Sequence, residues 1–122
     1  MIPKKKRKKK SKIYFGKETQ DAVILYNSMD AETQWKERDK LFREKIYYPF
    51  SKLSENIIHT FKFYHFDYDS KQVQNEVVSF LTMNMHKYQP DKGRAFSYFS
   101  IIAKNYLILN NNNNYKKIKL HK

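Results

Sequence analysis

Between residues 94 and 113 the chain sets aromatic rings beside cations and amides and carries no acid. Arg94, Phe96, Tyr98, Lys104, Asn105, Tyr106 and Asn110 are the candidate binding residues, and the asparagines continue to Asn114. Rings in such company stack on unpaired bases, each worth about 1–3 kcal/mol. Lysine and arginine neutralise phosphate, and an asparagine amide can both donate to and accept from the edge of adenine. The bland reading of the same rings is hydrophobic core. Core is the expected role of Phe99, whereas Phe96, Tyr98 and Tyr106 suit either role.

No other grouping suggests catalysis. The carboxylates are scattered, no Ser/His/Asp set has helpful local spacing, and there is no Gly-rich phosphate loop. His59, His65, His86 and His121 lack paired ligand spacing, and with no Cys there is neither a disulfide nor a thiolate metal site. The expectation is a binding protein rather than an enzyme, with no metal or other cofactor. No apolar run approaches the roughly 20 residues that span a bilayer, so no membrane partner is expected.

The net charge of +13 is divided unevenly. Residues 1–12 hold eight Lys/Arg and no acid. Residues 13–91 hold ten basic and twelve acidic residues, and residues 92–122 hold seven basic residues and no acid. A near-neutral body with two basic ends suits a polyanion partner. The plainer alternative is a solubilising tail and a solvated helix face. Residues 1–12 read as a disordered basic arm whose self-repulsion opposes folding. Its Pro3–Lys8 run also matches a nuclear-import pattern, a short motif common in Lys-rich tails.

Periodicity predicts an all-α fold of about four helices over 13–114, followed by a basic tail over 115–122. Two Gly and three Pro leave little room for a turn-rich β fold. Ile13–Gly16 reads as a packed lead-in or a strand-like contact. A first helix is expected from about Lys17 to Asn27, with Ala22, Val23, Leu25 and Tyr26 inward. Asp30 is expected to open a second helix, with Trp35, Phe42 and Ile46 on one stripe. Pro49 should kink that helix or end it near Tyr48. Phe50, Leu53, Ile57, Ile58 and Phe61 then form a core-facing stripe, with His59 and His65 packed or at the surface.

After the aromatic cluster Phe61, Phe63, Tyr64, Phe66 and Tyr68, Asp69 and Gln72 have the form of a capping box. The helix it opens should run to about Tyr88. Val73, Val77, Phe80, Leu81, Asn84 and Tyr88 line one side of it, and Gln72, Asn75, Glu76, Ser79 and Met83 another. That polar side is either plain solvent-facing helix or a protein-binding face. Gln89–Gly93 is a stop-and-turn signal. Ser97 is the expected cap of the last helix, whose stripe is Phe99, Ile102, Ala103, Tyr106 and Leu107. Five consecutive asparagines are poor helix formers and should fray unless a ligand holds them.

Lys87-Tyr88-Gln89-Pro90-Asp91-Lys92-Gly93-Arg94-Ala95-Phe96-Ser97-Tyr98-Phe99-Ser100 resembles the pattern K-F-D-x-x-[KR]-G-x-x-F-[ST]-T-Y-A of region 2 in sigma-70-type RNA polymerase sigma factors. Gln72–Glu76 with Phe80-Leu81 is similar to that family's D-L-x-Q-E-G-x-x-G-L helix. The likeness covers roughly residues 40–113. The short length and the stretch from Lys12 to Asn27 look like the late-transcription sigma factors of T-even-type phages and their marine and cyanophage relatives. In place of the family's Trp pair stand Ile102 and Ala103, in place of its helix glycines Val77 and Phe80, and the chain lacks the acidic-hydrophobic tail of the T-even late factors.

The resemblance implies partners. Gln72, Asn75, Glu76, Ser79, Phe80 and Met83 would face the clamp coiled coil in the largest subunit of core RNA polymerase. Arg94, Phe96, Tyr98, Lys104, Asn105, Tyr106 and Asn110 would meet a −10-like element of promoter DNA. A phage coactivator and a sliding clamp are further partners it implies, and the setting would be the cytoplasm and nucleoid of an infected bacterium. The alternatives are a stand-alone DNA- or RNA-binding protein, or a nuclear or viral interaction protein whose arm is an import signal. Deleting residues 1–12 separates these readings. A sigma factor should keep its affinity for core polymerase in a native gel, whereas an imported protein should lose its location.

Overall fold

The computed structural model describes residues 13–61 and 70–120, giving the backbone alone at 61, 70 and 111–120. The fold is all-α, with four helical rods among the described residues. α1 spans Lys17–Ser28. α2 (Trp35–Leu41), a π-helical segment (Phe42–Ile46) and α3 (Tyr47–Phe61) run on without a break as one rod. α4 spans Ser70–Asn84, and α5 spans Ala95–Leu120. The expected disordered arm over 1–12, the roles expected of Phe63, Tyr64, His65, Phe66, Tyr68 and the Asp69 cap, the Phe61 side chain, and His121 all lie outside the described residues. No helix among the described residues is long and apolar enough to cross a membrane.

The start of the second helix differs from the sequence expectation. Asp30 does not open a helix. Its Oδ2 accepts from the Glu32 N–H (3.2 Å), the Thr33 N–H (2.7 Å) and the Thr33 hydroxyl (2.9 Å), closing a turn. The Thr33 N–H first, then its hydroxyl, hold this carboxyl below its ordinary value. An Asp side chain that bonds its own neighbourhood competes with helical hydrogen bonding, so α2 waits until Trp35. On α1, Thr19, Ala22 and Val23 are buried and Tyr26 is half-buried, but Leu25 is exposed rather than inward.

Pro49 does not end the helix near Tyr48. Proline removes one helical donor and crowds the carbonyl four residues back, which here belongs to Lys45. The turn immediately ahead is widened, the Tyr47 N–H reaching the Phe42 carbonyl. Such a bulge lets a helix take up a local misfit without breaking. The rod therefore continues, and Phe50, Leu53, Ile57 and Ile58 are all buried as their spacing predicts. Trp35 is the exception to its expected stripe: Ile46 is buried and Phe42 half-buried, but Trp35 is 59% exposed.

α4 buries Val73, Val77, Val78 and Leu81, and a 3-10 turn over Met85–Lys87 replaces its expected last turn. Gln74, on neither expected face, is buried and donates Nε2 to the Ser51 carbonyl (2.9 Å) and hydroxyl (2.7 Å), fastening α4 to α3. α5 lays Ala95, Phe99, Ala103 and Leu107 inward at a spacing of four. Its backbone stays helical through the asparagine run and the basic stretch to Leu120, where the sequence predicts fraying and a tail.

Rings join these rods. Phe15 lies 6.0 Å from Phe50, Phe50 lies 5.0 Å from Phe99, and Phe99 lies 5.8 Å from Tyr88, centroid to centroid. Ile13–Gly16 is thus a packed lead-in through buried Phe15. Phe99→Ala should lower stability by about 3–5 kcal/mol, read as a urea midpoint by circular dichroism. Ile101→Ala, two positions on and exposed, should stay within about 0.5 kcal/mol of wild type.

Candidate nucleic-acid and partner interface

α4 and α5 meet at a corner whose polar backbone is satisfied from several parts of the chain. The corner closes on itself through the Lys92 N–H to the Gln89 carbonyl (2.9 Å) and the Gly93 N–H to the Pro90 carbonyl (3.3 Å). The expected turn at Asp91-Lys92-Gly93 is a 3-10 turn over Pro90–Lys92 ended by Gly93. Gly93 has φ 99° and ψ −169°, a region that only glycine occupies without strain. The buried Tyr88 ring aims its hydroxyl at the Gly93 carbonyl, 2.6 Å away.

Two residues of α1 complete the corner. Asn27 donates Nδ2 to the carbonyls of Met85 (2.9 Å) and Tyr88 (3.4 Å), and the Met85 carbonyl also accepts from the Tyr88 N–H at 3.1 Å. The Ala95 N–H donates to Gln20 Oε1 at 2.8 Å. Gln20 therefore caps α5 from another helix, and the cap expected of Ser97 is not made. Arg94 stands at the cap position, its carbonyl accepting from the Tyr98 N–H at 3.0 Å, and Ser97 falls inside the first turn. Nothing local in the sequence marks Asn27 or Gln20 for these roles, because their partners are remote along the chain.

The expected DNA-facing residues do not form one strip. Arg94, Lys104 and Asn105 are exposed on the outer side of α5. Tyr98 is half-buried, 5.2 Å from the Tyr88 ring, with Lys92 Nζ 5.9 Å from its own centroid. Phe96 is 42% exposed and turns toward the lead-in, edge-on to Tyr14 (6.5 Å) and Phe15 (5.8 Å). Tyr106 leans the other way and stacks on Phe80 at 4.6 Å; Asn110 is half-buried.

The candidate binding residues left out Ile101 and Ile108. Both are exposed beside Lys104 and Asn105. Their signal was available: they fall seven apart, on the side of α5 opposite the row from Ala95 to Leu107. Between α3 and α5, Tyr14, Leu53, Ile57, Phe96 and Ile101 line a cavity of about 350 Å³, with Asn56 and Lys104 as polar members.

On α4, Gln72, Asn75, Ser79 and Met83 are exposed and Glu76 is half-buried, so five of the six expected partner-facing residues share an outward side. Phe80 is the sixth. It leaves that side for Tyr106 and links the α4 surface to the flank of α5. Among the described residues no group of His, Cys, Asp and Glu could hold a metal ion. No protein-family model, curated protein or solved structure matches the chain.

Burial first, and then the charge of Asp91, push the Tyr88 hydroxyl above its ordinary value of 10.0. The folded state thus holds this proton more tightly than the unfolded chain does. Its contribution is complete below the unfolded value and is lost as pH rises through the folded one. Tyr88→Phe removes the bond to Gly93 and should cost about 1 kcal/mol at neutral pH. In urea melts the gap between wild type and variant should narrow as pH climbs past 10.0. A gap that stays constant along the alkaline limb contradicts this role for the hydroxyl.

Proposed function

We propose that this chain is a sigma-region-2-like subunit of a phage late-transcription system. It binds host core RNA polymerase through the outer side of α4 and directs it to an A/T-rich −10-like late promoter through α5, assisting DNA opening. RNA synthesis in this reading belongs to the polymerase. The observation that carries it is the coincidence of the Lys87–Ser100 motif with the α4–α5 corner, where Gly93 has the glycine-only backbone. The two helices leaving that corner also differ in chemistry. α4 offers Gln72, Asn75, Glu76, Ser79 and a Met83 that is 69% exposed, whereas α5 offers Arg94, Lys104 and Asn105 and has no acid.

Stand-alone nucleic-acid binding is the second reading. It draws on α5 and leaves the exposed Met83 side of α4 without a use, which favours the polymerase-bound form. Where the resembled family has a Trp pair, Ala103 is fully buried and Ile102 half-buried. Neither presents a ring to DNA, so the chain assists opening alongside a coactivator rather than melting DNA alone.

Wild-type protein should shift core polymerase in a native gel, and no shift at micromolar protein removes the polymerase reading. The pair Glu76→Ala/Met83→Ala should weaken core binding about tenfold, or about 1.4 kcal/mol. The pair Lys104→Gln/Asn105→Ala should leave core binding intact and lower promoter opening, read by permanganate reactivity of unpaired thymines. Equal loss of core affinity in both pairs contradicts the division between α4 and α5.

A further inference from the structure

A second cavity, of about 490 Å³, opens between the start of α1 and the start of α5. Lys17 and Ser97 line it with Arg94, and Phe15, Gln20 and Phe96 form its walls; no carboxylate lines it. Lys17 and Arg94 are distant in sequence and come together only because α1 docks on the α4–α5 corner. The walls are held in place: Gln20 accepts from the Ala95 N–H at 2.8 Å, and the Phe15 and Phe96 rings meet edge-on at 5.8 Å.

The acids nearby do not neutralise this cleft. Glu18 is turned to Lys45 at 2.8 Å. Asp21 meets Lys17 at 3.5 Å, but both side chains are well exposed, and such pairs are worth roughly 0–1 kcal/mol. Among the described residues Arg94 makes no ion pair. Two like charges facing one cavity repel each other, and an anion between them reverses the sign of that interaction. The planar guanidinium fork suits the oxygens of a phosphate, while lysine adds a mobile point charge.

We infer that Lys17 and Arg94 clasp one phosphate group of a nucleic-acid backbone, with the Ser97 hydroxyl as a further donor. This rests on the nucleic-acid part of the proposed function and adds α1 to the binding surface. The clasp carries no base preference. It fixes where the strand lies relative to the Arg94–Lys104 side of α5.

The test is fluorescence anisotropy of a labelled mixed-sequence single-stranded oligonucleotide, titrated with the full chain across a salt series. The variants are Lys17→Gln/Arg94→Gln and, as a charge-matched control on α2, Lys36→Gln/Lys40→Gln. All four positions are exposed, so the fold should survive, as a circular-dichroism melt will register. Releasing one phosphate should reduce the slope of log K against log salt by about 0.7 in the clasp variant, and the control should keep the wild-type slope. Equal slopes in wild type and clasp variant overturn the clasp, as does an equal reduction in the control. Saturation of the wild type by millimolar inorganic phosphate alone would assign the cleft to a free anion and also overturn it. A clasp variant that loses core-polymerase affinity with its salt slope intact assigns the cleft to a protein carboxylate instead. Should wild type bind no oligonucleotide at low salt, the nucleic-acid part of the proposed function fails, and the clasp with it.

Discussion

The rest of the molecule depends on hydrogen bonding at the α4–α5 corner. A chain that leaves one helix and enters another within a few residues strands carbonyls at the first end and N–H groups at the second. Leaving such groups buried and unpaired costs about 1–3 kcal/mol each. Here Tyr88 supplies a hydroxyl to the Gly93 carbonyl, Asn27 supplies an amide to Met85 and Tyr88, and Gln20 receives the Ala95 N–H. Gly93 makes the reversal possible by adopting a backbone that a side chain would strain. Because two of these partners belong to α1, the corner also dictates where α1 sits.

Packing follows from that placement. With α1 held at the corner, the lead-in before it brings Phe15 onto Phe50 and Phe99. Rings suit a small body because each buries about 150–250 Å² with few rotatable bonds. The widened turn over Phe42–Ile46 serves the same core. It lets the long rod pass Pro49 and still deliver Ile46, Phe50 and Leu53 to one interior.

The surfaces are consequences of the same arrangement. The polar side of α4 and the acid-free side of α5 diverge from one corner, and the Phe80–Tyr106 stack joins their flanks. Tyr106 thus touches the chain neighbour of Glu76 and Met83. The same corner brings Lys17 of α1 to the cavity that Arg94 also lines.

What the residues determined alone were features of short range. Spacing of three and four placed Phe50, Leu53, Ile57, Val73, Val77, Leu81, Phe99, Ala103 and Leu107 inward, and all are buried. The Gln89–Gly93 signal marked the turn, and the polar stripe of α4 was readable, with Phe80 on the other side. Tertiary structure decided everything that depended on a distant partner: Gln20 rather than Ser97 capping α5, Gln74 buried against Ser51, and Phe96 and Tyr106 turned to opposite flanks. It also decided that Pro49 does not end the helix, because the turn ahead of it could widen. Helical periodicity is written into neighbouring residues and survives without the fold. A side-chain hydrogen bond to a backbone group far along the chain leaves no local pattern, and it exists only once packing has brought the two groups together.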